Sequence, residues 1–229
     1  MLVREVVTPS GLFFRVAWAS DPWDWPPPIA ALSATGEVIG TGSRYDDPLG
    51  EFSVLYAARQ RRGCFLETLD RYRPDLALAA RLALFGAGGF TPQAGEIPSD
   101  FFVERVCVRF HLQKARSARW LDLRQSAPET AIALSTEMAA LLPNLGYRAR
   151  VTIGDFVGKD RALTQATARW AYEHNYRGIV YNSTHAPTTI ECWAIFPGTR
   201  LEPDGEPEPI RRDDPDVKAV ATLFGLIIP

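Results

Sequence analysis

The irregular order of strand-like and helix-like segments restricts the fold of this chain more than any other feature. Short apolar segments typical of strands are interleaved with helical patterns without a fixed period, and no internal repeat or domain boundary is visible. This order favours a single α+β domain over all 229 residues, with a mixed or antiparallel central sheet flanked by helices. We expect its core at about residues 12–197 and a C-terminal extension at 198–229.

Hydrophobic periodicity and turn residues assign the individual segments. The predicted strands are Leu12–Trp18, Phe52–Ala58, Phe101–Leu112, Trp120–Leu123, Gly178–Tyr181 and Ile190–Phe196, with Tyr147–Ile153 also extended. The predicted helices are 59–72, Pro74–Gly86, Pro128–Leu142 and Asp160–Asn175. Residues 86–100 and 197–216 are expected to be surface loops, and Val217–Ile228 to dock as a last apolar element.

Composition excludes several classes of protein. The net charge of −2 and the isoelectric point near 6.0 provide no overall basic field, so direct binding of nucleic acid is not expected. The odd number of widely spaced cysteines, Cys64, Cys107 and Cys192, argues against disulfides and zinc and favours buried thiols. No segment has the ~20 apolar residues of a membrane span, and the N-terminus lacks a signal-peptide core. These features predict a protein of the reducing cytoplasm.

The segment from Gly40 to Leu69 contains the main candidate site. Arg44 follows a glycine-rich turn, Tyr56 lies near the end of an apolar strand, and Glu67 lies within a short amphipathic helix. A guanidinium binds phosphate, a tyrosine ring stacks on an aromatic group, and a carboxylate stabilises a developing positive charge. Those are the needs of an enzyme that acts on a nucleotide–sugar bond.

Each of these residues also has a simpler structural interpretation. Arg44 could be a solvated side chain in a surface turn, and Tyr56 a core tyrosine with a satisfied hydroxyl. Glu67 precedes Arg71 by four residues, a spacing that favours a surface ion pair on a helix. Ser183 lies in a loop where serine is a common turn residue.

Arg15 and the three histidines complete the candidates. Arg15 interrupts an apolar strand, so its side chain either reaches the surface or faces a polar cleft. The three histidines have no metal-ligand spacing and are interpreted singly as structural or solvated: His111, His174 and His185. The chain has no nucleophile elbow of a serine hydrolase and no metal-binding motif.

The arrangement as a whole resembles the RES domain family. The resemblance rests on FFRVAW, GSRYDDPLGEFSVLYAA, CFLETL, TQATARWAYEHNYRGIVYNST and ECWAIF, which occur in this order over roughly residues 12–197. The family is named for an Arg, a Glu and a Ser, which match Arg44, Glu67 and Ser183. Tyr45 departs from the family pattern, in which Trp or Phe often follows the arginine.

The resemblance implies a fold, an activity and a partner. RES proteins have a fold similar to ADP-ribosyltransferase toxins and are commonly toxins of bacterial toxin–antitoxin pairs. They degrade NAD+ at the nicotinamide–ribose bond by phosphorolysis or hydrolysis, so NAD+ is a substrate, phosphate a candidate co-substrate, and no cofactor or metal is implied. A cognate antitoxin is the expected partner, and the oligomeric state is left open. By matching positions, the catalytic residues would be Glu67, Arg44 and Tyr56, and the substrate-binding residues Arg15, Tyr45 and Ser183.

Two other functions compete with NAD+ degradation. The same pocket could transfer ADP-ribose to a macromolecule, but that chemistry often uses a Gln or Glu two residues before the catalytic Glu. Phe65 occupies that position here. The chain could also be a non-catalytic module that binds a nucleotide or a partner, which the joint presence of Arg44, Tyr56 and Glu67 disfavours.

Overall fold

The structure is a computed structural model that describes residues 3–6, 10–31, 42–74, 95–113, 118–124, 128–148, 151–185 and 190–229. Its strands are β1 (Glu5–Val6), β2 (Phe13–Trp18), β3 (Leu55–Ala58), β4 (Arg105–Leu112), β5 (Trp120–Asp122), β6 (Gly178–Asn182), β7 (Glu191–Ile195), β8 (Leu201–Pro203) and β9 (Glu208–Pro209). Its α-helices are α1 (Arg61–Leu69), α2 (Phe101–Glu104), α3 (Pro128–Glu137), α4 (Ile153–Phe156), α5 (Arg161–Glu173) and α6 (Pro215–Phe224). Two 3₁₀ turns follow α1 and α3, at Asp70–Tyr72 and Leu142–Leu145.

One mixed sheet contains all nine of these strands. Its order is β1-β5-β6-β7-β3-β2-β4-β8, and β9 also pairs with β4. Strands β5 and β6 are parallel, and the other pairs are antiparallel. A mixed sheet with helices packed on it confirms the predicted α+β class.

The two faces of the sheet bury different cores. All six described helices contribute to the first core, in which Phe65, Phe156 and Val217 are fully buried. The second core contains only strand residues among its buried members, and its centre is the ring of Trp193, which packs edge-on against Phe13 and Trp120. Because β7 and β2 are not neighbours in the sheet, their ring contact shows that the sheet is strongly curled.

Local sequence signals explain where the longer helices begin and end. The Asp160 carboxylate accepts the N–H groups of the first turn of α5, and Asp214 does the same for α6. Pro215 occupies the first turn of α6, where a missing N–H has no consequence. Gly225 ends that helix with φ of 66°, in the left-handed region that favours glycine.

Gly63 brings α1 close to the sheet. A Cβ at this position would lie 2.7 Å from both the Ala58 Cβ and the Ile190 Cγ2, so no other residue fits without a shift. This close approach packs α1 against the paired strands β3 and β7. It also sets the distance from the sheet at which the side chains of α1 lie. Arg61 anchors the start of the same helix through ion pairs with Asp214 and Asp216 of α6.

Several predicted segments differ from the structure. Residues 101–104 form the short helix α2, so the predicted strand Phe101–Leu112 begins only at Arg105. Residues 153–156 form α4, whose N-cap Thr152 shares a capping box with Asp155 and overrides the extended pattern. The predicted surface loop 197–216 contributes β8 and β9, which both pair with β4. Residues 198–229 therefore belong to the same sheet and core as the rest of the domain.

Other predictions are confirmed or lie outside the described residues. All three cysteines are buried and unbridged, as predicted. The strands at 13–18, 120–122, 178–182 and 191–195 and the helix at 161–173 fall where the sequence predicted them. Most of the predicted helix Pro74–Gly86 and of the loop 86–100 lies outside the described residues.

Candidate active site

The candidate site lies on the helical face of the sheet, where α1 packs against β7. Glu67 is half-buried on α1, with its Oε2 3.5 Å from the Tyr181 hydroxyl and its Oε1 3.9 Å from the Cys192 Sγ. Tyr181 and Cys192 are directly paired across β6 and β7, so both side chains leave the sheet on the same face. Glu67 therefore faces the sheet rather than the helix surface that an ion pair with Arg71 would require.

Both neighbours of Glu67 are neutral donors. Burial, reinforced by the charge of Glu67, raises the pKa of the Tyr181 hydroxyl well above its usual range. Burial and the same carboxylate raise the pKa of the Cys192 thiol. A protonated phenol and a protonated thiol can each donate toward a carboxylate, so both groups help to orient Glu67.

Arg44 is the second charged group of the site. Its side chain is 7 % exposed, and its Nη2 donates to the Thr184 Oγ1 at 3.1 Å. Its guanidinium lies 5.5 Å from the centre of the Tyr181 ring. The buried Nε and Nη1 atoms make no hydrogen bond within the part of the chain that the structure describes. Buried guanidinium donors are nearly always paired, so two free ones indicate a site built to receive an anion.

Arg44 remains charged despite its burial. Burial lowers the pKa of the guanidinium, but Tyr181, Tyr45 and Glu67 raise it, and the net effect is a pKa above the ordinary value. Arg44 and Glu67 therefore bring opposite charges to one pocket. Two donors of the arginine still have no acceptor among the described residues.

A hydrogen-bonded loop holds Arg44 in place. The Tyr45 N–H donates to the Tyr56 hydroxyl at 2.9 Å, and that hydroxyl donates to the Asp46 Oδ1 at 2.9 Å. The Ser43 N–H donates to the other oxygen of Asp46, and Gln165 of α5 donates to the Ser43 carbonyl. The loop is therefore tied to β3 and to α5 on both sides of Arg44.

The hydroxyls of Tyr45 and Tyr56 both form hydrogen bonds with other parts of the protein. The fully buried Tyr45 donates to the Phe156 carbonyl at 3.2 Å, and its ring packs edge-on against Tyr181 at 5.0 Å. Burial and the neighbouring Asp46 raise the pKa of Tyr56 well above its usual range, so this phenol is not an acid or base near neutral pH. The structure brings both predicted tyrosines to the site, with the hydroxyl of Tyr56 bound as its simpler interpretation requires.

The ring of Tyr56 borders a cavity on the side of the proline-rich loop. This cavity has a volume of ≈ 130 Å³ and is lined by Pro26–Pro28, Asp46, Phe52 and Tyr56, among others. It is smaller than the ~300 Å³ at which small-molecule pockets begin, so it has room for only a part of a ligand.

Ser183 closes the site from the end of β6. Its side chain is 8 % exposed, its N–H donates to the Ile190 carbonyl, and its Oγ accepts the N–H of His185 at 3.3 Å. Its neighbour Thr184 makes the direct contact with Arg44. The structure therefore brings the predicted Ser183 beside the pocket, in a turn that also presents Thr184 and His185.

Arg15 does not join this cluster. Residues alternate across β2, and Arg15 shares the face of Phe13 and Ala17 in the second core, opposite to the face that packs on α1. Its Nη1 donates to the Asp24 carbonyl, and burial together with Arg105 lowers its pKa to about 10. The assignment of Arg15 to the pocket of Arg44 is therefore corrected, because the sheet lies between them.

The sequence analysis missed Tyr181, Thr184 and Cys192. Tyr181 could have been found from the strand period, because Tyr181 and Ser183 are two residues apart and share a face. Thr184 is adjacent to Ser183 in a loop, and Cys192 depends on the pairing of β6 with β7, which the sequence does not reveal.

The family model described as the RES domain matches residues 13–218. The chain belongs to the RES domain family. Its matched region includes Arg44, Glu67 and Ser183.

A solved structure titled as the crystal structure of the M. tuberculosis MbcT-MbcA toxin-antitoxin complex is 14 % identical, with a TM-score of 0.49, and the alignment covers 90 % of this chain and 88 % of that chain. No curated protein matches the sequence. The described helices include none that is long and apolar enough to cross a membrane. Within the described ranges, no three His, Cys, Asp or Glu residues are grouped so as to hold a metal.

Proposed function

We propose that this chain cleaves the bond between nicotinamide and ribose in NAD+, with water or phosphate as the acceptor. The observation that carries the proposal is the buried Arg44, which has two unpaired donors and lies in the same pocket as the carboxylate of Glu67. NAD+ combines an anionic pyrophosphate with a cationic glycosidic centre, and this pocket offers one charge for each.

The chemistry needs few groups from the protein. Nicotinamide leaves as a neutral molecule from a cationic precursor, so the leaving group needs no proton from a general acid. The reacting ribose develops positive charge, as in glycoside cleavage, and a fixed carboxylate stabilises that charge. Glu67 takes this role, and Tyr181 and Cys192 hold its oxygens.

Arg44 binds the pyrophosphate. A guanidinium donates charge-assisted hydrogen bonds to phosphate oxygens, and the free Nε and Nη1 of Arg44 point to different sides of its plane, so each can donate to a different oxygen. The partly exposed ring of Tyr56 provides an apolar wall for the nicotinamide end, and Ser183 offers a hydroxyl to its amide or to the ribose. The rings of Tyr45 and Tyr181 are fully buried, so they support the site without touching a ligand.

Transfer of ADP-ribose to a macromolecule has less support. Phe65, which occupies the position two residues before Glu67, is fully buried in the first core. The site therefore has no exposed Gln or Glu there to select an acceptor residue.

The decisive experiment follows nicotinamide release from NAD+ by the purified chain, with and without phosphate. Glu67→Gln keeps the size of the side chain and removes its charge, so kcat and kcat/KM should both fall ~10²–10³-fold while NAD+ affinity changes little. The control is Glu173→Gln, which removes an exposed carboxylate at the end of α5 that pairs with Arg169. Retention of more than about a tenth of the parent rate by folded Glu67→Gln would defeat the catalytic assignment. A wild-type chain that binds NAD+ without turnover would instead be a binding module.

The family resemblance extends the proposal to a toxin that a cognate antitoxin blocks. Expression of the chain alone should then arrest growth and lower cellular NAD+, and Glu67→Gln should relieve both effects. Normal growth at full NAD+ with soluble wild-type protein present would count against a toxin while leaving the enzymatic proposal intact.

A further inference from the structure

A histidine and an aspartate form a pair at the edge of the candidate site. The His185 Nδ1 lies 3.3 Å from the Asp70 Oδ1. Asp70 follows Glu67 by three residues, at the end of α1, so both carboxylates lie on one side of this helix. His185 lies on the same turn as Ser183 and Thr184, which contact the pocket. The pair therefore joins the two elements that form the site.

The imidazole is largely shielded from solvent. Its side chain is 12 % exposed, and its ring packs edge-on against Phe224 of α6 at 6.1 Å. The charged groups around it are Glu67 and Asp70 on the side of α1, Arg73 beyond them, and Arg44 from the loop. Burial, helped by the two arginines and opposed by the two carboxylates, lowers the pKa of His185. The imidazole is therefore neutral near pH 7 and can accept a proton.

Asp70 also fixes which nitrogen is the acceptor. A carboxylate beside Nδ1 favours the tautomer that carries its proton there, which leaves the lone pair on Nε2. Nε2 makes no hydrogen bond with any residue that the structure describes, whereas Nδ1 has Asp70. This is the arrangement of an oriented general base.

We propose that His185, oriented by Asp70, is the base that accepts the proton of the water that attacks NAD+. This inference rests on the proposed function and assigns it a further residue. The water oxygen bonds to the ribose C1 as the bond to nicotinamide breaks, and that electron pair leaves on the nicotinamide nitrogen. One water proton passes to Nε2 and then to solvent, so NAD+ and water give ADP-ribose, nicotinamide and one proton.

The role of His185 separates the two acceptors. Water needs a base as it attacks, and a positioned base typically contributes about 10²–10⁴-fold. Phosphate already carries anionic oxygens at neutral pH and needs no base. Loss of His185 should therefore impair hydrolysis far more than phosphorolysis.

A purely structural role predicts a different result. Asp70 also pairs with Arg73 at 3.2 Å, so His185 could simply tie the turn after β6 to the end of α1. In that case its loss would loosen the site and lower both reactions by the same factor.

The test compares His185→Gln with His174→Gln, which changes an exposed histidine at the end of α5. ADP-ribose and phosphorylated ADP-ribose are quantified from NAD+ without phosphate and at saturating phosphate, with a melting curve for each variant. We expect hydrolysis by His185→Gln to fall about 100-fold and phosphorolysis to stay within about threefold. His174→Gln should match the parent in both. Asp70→Asn should lower hydrolysis as well, because an amide can stabilise the other tautomer.

The pH dependence of the unmodified chain gives a second test that does not need a folded His185 variant. The rate of hydrolysis should rise with pH through the pKa of His185. NMR of the imidazole Cε1–H signals measures this pKa. The variants His111→Gln and His174→Gln identify the signals of the other two histidines. A rising limb that does not coincide with this titration would overturn the role.

The outcomes distinguish this inference from the proposed function. Equal hydrolysis by His185→Gln and parent, equal loss of both reactions, or a parent that uses only phosphate would each overturn the role of His185 and leave NAD+ cleavage standing. A parent that releases no nicotinamide under either condition would overturn both proposals.

Discussion

Replacement of Arg44 by methionine should separate stability from binding. Arg44 is a buried cation, and two of its donors have no acceptor among the described residues. Such a side chain is more typical of a ligand-binding site than of a contact that stabilises the fold. Methionine fills a similar volume with a flexible apolar chain and introduces no polar atom. We therefore expect Arg44→Met to lose affinity for NAD+ without a loss of folding stability.

The expected change in stability follows from the contacts of the guanidinium. Each buried donor without a partner costs about 1–3 kcal/mol, and the variant removes two of them. It also loses one hydrogen bond to the exposed Thr184, worth about 1 kcal/mol, and the contact with the Tyr181 ring, worth about 0.5–1 kcal/mol. Glu67 is half-buried and remains hydrated after the substitution. The free energy of unfolding should stay constant or rise by up to about 4.5 kcal/mol.

The expected change in affinity has the opposite sign. Two charge-assisted hydrogen bonds to the pyrophosphate are lost, at about 1.5–3 kcal/mol each. Because about 1.4 kcal/mol corresponds to a tenfold change, the dissociation constant for NAD+ should rise about 10²–10⁴-fold. Arg44→Lys should recover only part of this loss, because an ammonium cannot reproduce the planar pair of donors.

Urea unfolding and calorimetric titration with NAD+ measure the two changes. The titration uses Glu67→Gln with and without Arg44→Met, so that turnover does not interfere. A buried structural ion pair that loses one partner is destabilised by about 3–5 kcal/mol. A loss of that size together with unchanged NAD+ affinity would refute the assignment of Arg44 to ligand binding.

Three further substitutions test the scaffold of the site. Gly63→Ala should destabilise the chain by about 1–3 kcal/mol in urea unfolding and lower nicotinamide release, because the added Cβ pushes α1 away from the sheet. Asp214→Asn keeps the N-cap of α6 but removes the ion pair with Arg61, at an expected loss of about 1 kcal/mol at pH 7. Although burial opposes it, Arg61 lowers the pKa of Asp214 below 3.8, so this stabilisation is present above that pH and disappears as the pH falls through the lowered pKa in acid unfolding curves. Arg15→Met should leave the KM for NAD+ unchanged in the nicotinamide assay, because Arg15 lies on the opposite face of the sheet.

The sequence predicted the elements whose signals are local. The apolar face of α5 and the caps at its ends lie within one continuous segment, and the helix was found there. The error at residues 101–104 has a different origin, because the apolar run of α2 leads directly into the alternation of apolar and polar residues at the centre of β4. Residues 201–203 and 208–209 become strands only because β4 offers them a partner at long range. Pairing of this kind has no signature in a short polar segment rich in proline.

The same distinction holds for the site. Arg44 and Glu67 were identified because their types and their order in the chain resemble a family pattern. The error for Arg15 arose because a strand pattern gives two faces without saying which one the helices cover. Cys192 was missed because its place beside Glu67 depends on the register between β6 and β7.

The hydroxyl of Tyr56 explains how the site keeps a buried arginine with free donors. An arginine on a loose loop would turn its guanidinium toward water or toward Glu67 and satisfy all of its donors. The Tyr56 hydroxyl prevents this, since it accepts from the Tyr45 N–H and donates to Asp46, which in turn holds the Ser43 N–H. The backbone on both sides of Arg44 is thereby fixed, and among the described residues only Nη2 of this arginine has a protein acceptor. Fixed donors need little rearrangement when an anion binds, so more of the contact energy remains as affinity. Tyr56 thus contributes to the reaction by holding the loop of Arg44, even without a direct contact between its hydroxyl and the substrate. This role explains why its hydroxyl is bonded to the protein.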